Sequence, residues 1–165
     1  MLLNLVAPDN PILRKQTTDI VPADIPRYTD FVQMMFKLIE STNTNGIGLS
    51  APQVGLDKSL FVISIDGVRK VFINPKIIKV SDTTTTEVES CLSLPKLKLK
   101  IKRPEKISVT WLNENNELQT ADLEGLWARC FLHENDHLCG IMIDNRVSKL
   151  VLDMAKKKLT KKSKK

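Results

Sequence analysis

The chain has 165 residues, of which 42% are hydrophobic and 27% are charged. This composition is typical of a globular protein of one domain and excludes fibrous and disordered classes. The formal net charge is +6, but the last ten residues, KKKLTKKSKK, contain seven lysines, which leaves 18 basic and 19 acidic residues elsewhere. A nearly neutral body argues against a nucleic-acid-binding groove in the fold. We therefore predict a single domain over residues 1–155 and a lysine-rich tail over residues 156–165.

Targeting signals and membrane segments are not evident in the sequence. No apolar run approaches the roughly 18 residues that a membrane-spanning helix needs, and the N-terminus lacks the basic region of a signal peptide. The three cysteines are odd in number and too few to stabilise the domain through disulfides. We expect a soluble cytoplasmic protein with no membrane partner and with one or more functional thiolates.

The first predicted element is an amphipathic helix that starts near Asp24 and Pro26 and has apolar residues at helical spacing as far as Ile39. The loop NTNGIGLSAPQVG follows. Short β-branched or aromatic runs then predict antiparallel strands at residues 60–65, 71–80, 97–101, 107–112 and 118–123. Residues 113–116 suit a hairpin turn between the last two strands.

A helical pattern returns in the segment LEGLWARCFLHENDHLCG and is ended by Gly140. A last helix is expected from about Val147 into the tail. The order of these elements predicts an α+β fold, in which antiparallel sheets pack around a central helix with the HExxH motif. The N-terminal and C-terminal helices would complete this fold.

The motif HENDH contains His133 and His137, which are the only histidines in the chain. On a helix the two side chains lie about 40° apart around the axis and one turn apart along it, so both imidazoles can bind one cation. Glu134 is adjacent and need not be a ligand. The alternative is a chance match in an exposed helix, but this helix is otherwise rich in apolar residues. The pattern favours a metal site.

A catalytic metal site needs a third protein ligand and an open position. The third histidine of the metzincin proteases is absent, because Ile143 occupies its position. Asp144 follows Gly140 too closely to lie on a separate helix, and Asp153 has no recognisable ligand motif. Neither carboxylate is therefore an attractive third ligand.

The cysteines offer a thiolate as the third ligand. Cys130 is seven residues from His137, which is about 10 Å along a helix, so it cannot share one metal with both histidines. Cys139 lies about 200° around the helix from His137 and points away from it. Cys91, which another segment supplies, is the remaining candidate.

Three segments match one set of motifs in both order and spacing. GIGLSAPQ at residues 46–53 is similar to GxGLAAxQ, ESCLS at 89–93 to EGCLS, and HENDH at 133–137 to HExDH. Together they resemble the motifs of the peptide deformylase family. The resemblance extends from ILR at residues 12–14 to about residue 150, which is almost the whole chain.

The resemblance implies that Cys91, His133 and His137 bind one divalent metal ion. Fe(II) is the metal that the family favours, with zinc or nickel as substitutes. Such a metal lowers the pKa of a bound water, and Glu134 would be the general acid and base. The alternative for Cys91 is that it is a buried apolar residue.

The resemblance also assigns groups that stabilise the oxyanion. The side-chain amide of Gln53 and the backbone N–H of Leu92 would donate hydrogen bonds to the developing negative charge. The alternative for Gln53 is that it only anchors its own loop. Other residues implied to bind the substrate are Ile47, Gly48, Glu89, Ser90, Leu126, Arg129 and Cys130.

The implied function is removal of the N-formyl group from the formylmethionine of nascent polypeptides, with release of formate. The protein would be a monomer, and its basic tail would contact the ribosome. Two alternative functions are an inactive deformylase-like binding protein and an unrelated endopeptidase of the zincin class. Mutagenesis of Cys91 would distinguish the zincin from a deformylase.

The chain departs from the family pattern at several positions. Ser90 replaces the glycine of EGCLS, Ser50 replaces an alanine, and Lys98 occupies a position where the family often has an arginine that reaches the substrate. A β-carbon at position 90 constrains φ and narrows the approach of a peptide backbone.

Two arginines leave open questions. Arg129 lies where the family usually has an apolar residue of the methionine pocket, so either its head reaches solvent or it enters the pocket and changes specificity. Glu89 and Arg103 match family positions. They form either an ion pair beneath the site or a solvated surface pair.

Overall fold

The structure is a computed structural model that describes residues 3–41 and 47–162. Four short 3₁₀ segments accompany its helices and strands, at Pro11–Arg14, Pro22–Tyr28, Ala51–Val54 and Ile143–Arg146. The helices are α1 (Thr29–Ser41), α2 (Gly125–Leu138) and α3 (Lys149–Lys162). The strands are β1 (Gly48–Ser50), β2 (Leu60–Ile65), β3 (Val68–Val80), β4 (Thr84–Cys91), β5 (Leu94–Pro104), β6 (Lys106–Leu112) and β7 (Leu118–Glu124).

All of the strand pairs in the described residues are antiparallel. Five strands form one sheet in the order β1-β2-β3-β6-β7, and β4 pairs with β5 in a separate two-stranded sheet. Helix α2 contacts β1, β2, β6 and β7 of the large sheet and β5 of the small one. The predicted class, a mixture of helices and antiparallel sheets, is confirmed. No helix in the described ranges is both long and apolar enough to cross a membrane.

An aromatic cluster fixes helix α2 against the large sheet. The ring of Phe131 packs edge-on against Phe61 and Phe72, with centroid distances of 5.1 and 5.2 Å. Residues two apart on a helix point about 200° apart around its axis. Because Phe131 faces the large sheet, His133 is directed to the other side of the helix, toward the β4–β5 sheet.

Two further apolar clusters fix the other helices. Helix α1 packs buried residues such as Met35 and Phe36 against β1, β2 and β3. Helix α3 places Leu152, Ala155 and Leu159 against the buried side of β5. Helix α3 therefore covers part of the same buried face of the small sheet that faces the core, and the other face remains exposed.

Strand β3 begins three residues earlier than predicted, and β5 is three residues longer at each end. The elements differ from the predicted ones at three other places. The first α-helix begins at Thr29 rather than near Asp24, because the preceding residues form a 3₁₀ segment that contains Pro26, which has no N–H. Strand β4 was not predicted, since its threonine-rich and mostly exposed sequence lacks the apolar alternation of a half-buried strand. The predicted loop contains β1 and a 3₁₀ segment, while its residues 43–46, Gly46 of the first motif included, lie outside the described ranges.

Candidate metal centre and substrate cavity

The side chains of Cys91, His133 and His137 converge at one point. Cys91 is the last residue of β4, and both histidines lie on the last turns of α2. One potential ligand atom from each residue lies within 4.8 Å of the other two, and the Cys91 Sγ is 3.3 Å from the His137 Nε2. Among residues 3–41 and 47–162, no other group of three His, Cys, Asp or Glu side chains has this convergence.

The geometry and chemistry of these donors fit a divalent transition metal. Metal–sulfur bonds of about 2.3 Å and metal–nitrogen bonds of about 2.0 Å at tetrahedral angles place the donor atoms roughly 3.5 Å apart. The 3.3 Å separation between Cys91 and His137 is close to this value. One thiolate and two imidazoles suit several metals of the first transition row. Three protein ligands also leave the open coordination position that catalysis needs.

A buried carboxylate orients His133. The Glu89 Oε2 lies 3.0 Å from the His133 Nδ1, and Arg103 donates to both oxygens of Glu89 at 2.6 and 2.9 Å. Burial alone would raise the pKa of Glu89, but the hydrogen bonds from His133 and Arg103 outweigh it and lower this pKa to about 2. An ionised Glu89 accepts the Nδ1 proton and directs the Nε2 of His133 toward the metal position. The pair of Glu89 and Arg103 is thus buried, as one of the two sequence interpretations predicted.

Asp136 extends this network below the site. It accepts from Arg103 at 2.9 Å and from Arg146, which anchors the segment after α2. His137 is 1% exposed, and burial lowers its pKa well below the usual value, which keeps its nitrogen lone pair available. The contribution of Asp136 was not recognised in the sequence, since an acidic residue within a helical motif carries no signal of its partner.

Glu134 lies in a tight space beside the donors. It is 3% exposed, its Oε2 has no hydrogen-bond partner among the described residues, and burial raises its pKa to about 7. A β-carbon on Gly48 would lie 2.4 Å from the Oε1 of Glu134 and 2.9 Å from the Sγ of Cys130. Only glycine at position 48 therefore allows β1 to approach α2 this closely.

The side-chain amide of Gln53 has a fixed orientation. Its Oε1 accepts from both the backbone N–H and the hydroxyl of Ser50, each at 2.9 Å. Its Nε2 consequently points the other way and donates to the Ser93 hydroxyl at 3.1 Å and to the Cys91 Sγ at 3.6 Å. Ser50, which appeared in the sequence as a minor departure from the family pattern, supplies one of the two hydrogen bonds that orient this amide.

A cavity of about 590 Å³ opens above the donors. Of the thirteen predicted site residues, only His137 is absent from its lining, because it lies buried beneath. The cavity also contacts residues that the sequence did not assign to the site, namely Val88, Pro95 and Lys96, as well as Lys98. The predicted residues in the lining are Ile47, Gly48, Gln53, Glu89, Ser90, Cys91, Leu92, Leu126, Arg129, Cys130, His133 and Glu134.

The head of Arg129 does not reach solvent, so that interpretation of the sequence was wrong. The side chain is 9% exposed, and its guanidinium donates to Glu89 at 2.7 Å and to the carbonyl oxygen of Ile101 at 3.1 Å. It also donates to the backbone and hydroxyl oxygens of Thr85. These partners hold the charged group in the wall between α2 and the small sheet. The prediction failed because strand β4, which was missing from the predicted elements, supplies two of the residues that accept from Arg129, namely Thr85 and Glu89.

Cys130 and Cys139 are separate from the converging donors, as the helical spacing predicted. Cys130 is buried next to Gly48, and burial raises the pKa of its thiol well above the usual value. Cys139 is exposed at the end of α2. The three cysteines are all free.

Comparisons with known proteins agree on one family. The family model for polypeptide deformylase matches residues 2–153. A peptide deformylase of Agrobacterium fabrum is 38% identical over 165 residues, which cover 95% of this chain and 93% of the relative. The crystal structure of peptide deformylase from Thermotoga maritima has a TM-score of 0.84 at 32% identity and covers 90% of this chain and 99% of its own.

A second solved structure is also similar along nearly the whole chain. It is a peptide deformylase of Synechococcus elongatus in complex with actinonin, with a TM-score of 0.84 and 35% identity, and it covers 94% of this chain and 85% of its own. These matches do not favour an inactive binding protein or a zincin endopeptidase. The chain therefore belongs to the polypeptide deformylase family and is a metal-dependent hydrolase that acts on nascent polypeptides with an N-terminal formylmethionine.

Proposed function

We propose that Cys91, His133 and His137 hold one divalent metal at which this chain cleaves the formyl group from formylmethionyl polypeptides. The observation that supports this assignment is the convergence of the three donors at the floor of the cavity. When bound, the metal would act as a Lewis acid and lower the pKa of a water. We propose Fe(II) as the resident metal, with Zn(II) or Ni(II) as substitutes, because the mixed donor set accepts all three.

Glu134 is the proposed general base and acid. It takes a proton from the attacking water and delivers it to the departing amine, so that formate and a free N-terminus are released. Its pKa of about 7 suits both halves of this transfer near neutral pH. Its unpartnered Oε2 leaves an oxygen available for the proton.

The proposed oxyanion donors are the amide of Gln53 and the backbone N–H of Leu92. Ser50 holds the Oε1 of Gln53, which leaves the Nε2 directed at the sulfur of Cys91. Leu92 follows Cys91 directly and lines the same cavity. Donors that are already oriented stabilise charge in the transition state without reorganisation.

The methionine end of the substrate is proposed to lie in the cavity. Ile47, Leu126 and Cys130 supply apolar surface, and Gly48 leaves room for the substrate backbone. Glu89, Ser90 and Arg129 would complete the wall, with Glu89 acting mainly through His133 and Arg129 acting mainly through Glu89. Because Glu89 neutralises the guanidinium of Arg129, an apolar substrate group can lie next to Arg129.

At the level of the chain, we propose that α2 is the central metal-bearing helix of one catalytic domain over residues 1–155. Its contacts with strands of both sheets support this role. We place the monomeric enzyme in the cytoplasm, where nascent chains emerge, with residues 156–165 in contact with the ribosome. The seven lysines of this segment, the first of which continue helix α3 past residue 155, support an attraction to RNA phosphate.

The test of the proposed function combines two measurements on the purified protein. Metal content is determined by elemental analysis, and formate release is followed with a formyl-Met-Ala-Ser peptide. We expect one metal per chain and formate release that a chelator abolishes and Fe(II) restores. Full metal occupancy without formate release would contradict the proposal.

A further inference from the structure

The outer face of the β4–β5 sheet has a row of lysines. Lys98, Lys100 and Lys102 alternate with buried residues along β5 and are themselves exposed. Alternate residues of a strand lie about 6.8 Å apart on one face. Their directly opposite partners on β4 are uncharged: Ser90, Val88 and Thr86. This face of the small sheet is therefore purely cationic.

The charges on this face are not neutralised by neighbours. In the part of the chain that the structure describes, no ion pair involves Lys96, Lys98, Lys100 or Lys102. The acids of β4, Glu87 and Glu89, alternate with Val88 and so belong to the other face, where both pair with Arg129. The row consequently presents a continuous positive potential to solvent.

The lysine row begins at the mouth of the cavity. Lys96 and Lys98 line the same cavity as His133 and Glu134. A cavity of about 590 Å³ has the size of a site for a small ligand. It can hold the formylmethionyl end of a polypeptide, while the residues that follow must lie outside it, on the rim. The lysines are thus placed where the next substrate residues emerge.

We propose that Lys98 and Lys100 of this row, together with Lys96 just before it, select polypeptides with acidic side chains in the positions shortly after methionine. This inference rests on the proposed function, because it extends the substrate of the same site. Opposite charges at the rim raise the rate of encounter and favour the matching partner over one of like charge. Alternate side chains of an extended peptide have the same spacing of about 6.8 Å as the lysines of β5.

A nucleic acid is the other polyanion that such a row could bind, but the structure favours a peptide. The exposed face formed by β4 and β5 offers no aromatic side chain on which a base could stack, whereas proteins that bind single strands combine charge with such stacking. Because Lys96 and Lys98 line the catalytic cavity, the row also lies next to any substrate that enters this cavity.

The experiment compares three formylated peptides with acidic, neutral or basic side chains at the same alternate positions: formyl-Met-Ala-Glu-Ala-Glu-Ser, formyl-Met-Ala-Gln-Ala-Gln-Ser and formyl-Met-Ala-Lys-Ala-Lys-Ser. At about 20 mM salt we expect kcat/KM for the acidic peptide to exceed that for the basic one by about fivefold, mainly through KM. At about 300 mM salt the difference should largely disappear. Equal kcat/KM values for the three peptides at low salt would overturn the proposal.

Variants without the lysine charges test whether the residues of β5 select the substrate. Lys98→Gln with Lys100→Gln should reduce the ratio of acidic to basic kcat/KM to about twofold or less. The matched control, Lys37→Gln with Lys76→Gln, also removes two exposed charges, but neither residue lines the cavity, so the original ratio should persist. An equal loss in both double variants would overturn the assignment to β5, since it would reflect net charge alone.

Two other outcomes are distinguishable. Absence of formate release from all three peptides by the metal-loaded enzyme would mean that the proposed function itself has failed. A different pair of results would favour a nucleic-acid contact over the peptide proposal. In that case the three peptides would be turned over equally, and only the β5 double variant would lose binding to a fluorescent single-stranded RNA.

Discussion

The carboxyl group of Glu134 occupies a position where it can transfer a proton without holding the metal. We expect Glu134→Gln to keep one metal per chain and to lower kcat by at least about 100-fold, because the amide cannot accept a proton. Metal analysis and formate release on the same preparation check both parts. A variant that loses its metal together with its activity would show that Glu134 is a ligand instead.

Arg129 is a structural residue of the cavity wall, and its replacement tests this assignment. Arg129→Ile removes the guanidinium donor from the carbonyl oxygen of Ile101 and one of the two arginines from Glu89, so we expect a loss of about 2 kcal/mol in the free energy of unfolding. Urea denaturation measures this loss. Arg27→Gln, at an exposed pair, is the control and should change stability by less than about 1 kcal/mol.

The same Arg129→Ile variant also tests specificity. Because the guanidinium is bound to Glu89 and Thr85, we expect the ratio of kcat/KM for formyl-Met and formyl-Glu peptides to stay unchanged. An increase in the preference for formyl-Met would contradict this account, since it would show that the charged head enters the substrate pocket.

Contacts between residues on one helix can be predicted from the sequence, whereas contacts between residues far apart in the chain cannot. The spacing of His133 and His137 is a property of one helix, so the pattern predicted that both could bind one metal. The hydrogen bond from Arg129 to Glu89 joins residues 40 positions apart, and the one from Arg103 to Asp136 joins residues 33 positions apart. No periodic pattern in the sequence identifies such distant hydrogen-bond partners. They depend on how α2 meets the small sheet.

At the scale of elements, strand β4 was not predicted because it too depends on contacts with distant residues. Its outer face is exposed and polar over most of its length, and its stability comes from pairing with β5 and from a few inward side chains such as Glu89 and Cys91. A strand of this kind lacks the apolar alternation on which prediction relies. Strands with a buried apolar face, such as β2 and β6, were predicted within a residue of their observed bounds.

The two 3₁₀ segments at Pro11–Arg14 and Ile143–Arg146 are joined by an ion pair that should respond to pH. Arg14 donates to both oxygens of Asp144, at 2.8 and 2.7 Å, and this hydrogen bonding lowers the pKa of Asp144. A lowered pKa stabilises the fold above the ordinary pKa of the carboxyl group, and the contribution is lost as the pH falls through the folded-state value.

We therefore expect Arg14→Gln to reduce the free energy of unfolding by about 1 kcal/mol near neutral pH, a modest amount because Arg14 is 41% exposed. The difference from the parent protein should shrink as Asp144 becomes protonated in acid. Urea denaturation of both proteins, at neutral pH and at an acidic pH below the ordinary pKa of an aspartate, checks this. A difference that is the same at the two pH values would contradict the assignment to Asp144.

At the scale of the whole molecule, the lysine-rich tail is separable from the catalytic site. We expect deletion of residues 156–165 to leave turnover of a short formyl peptide nearly unchanged and to weaken association with ribosomes. Association of the intact protein should fall steeply with added salt, because lysines displace counterions from RNA phosphate. Co-sedimentation with ribosomes measures this association.

A length-matched variant separates charge from packing in that experiment. Replacement of the seven tail lysines by glutamine keeps Leu159, which packs against the apolar cluster of α3 and β5. This variant should bind ribosomes as weakly as the deletion. Equal affinity of the intact, deleted and glutamine-substituted proteins at one ionic strength would exclude a role for the tail.

The central claim is that Cys91, His133 and His137 are the metal ligands, and metal content of alanine variants tests it most directly. Cys91→Ala, His133→Ala and His137→Ala should each lose the metal and reduce formate release by at least about 1,000-fold. The matched controls Cys130→Ser and Cys139→Ser should keep one metal per chain. A full complement of metal in Cys91→Ala would contradict the account.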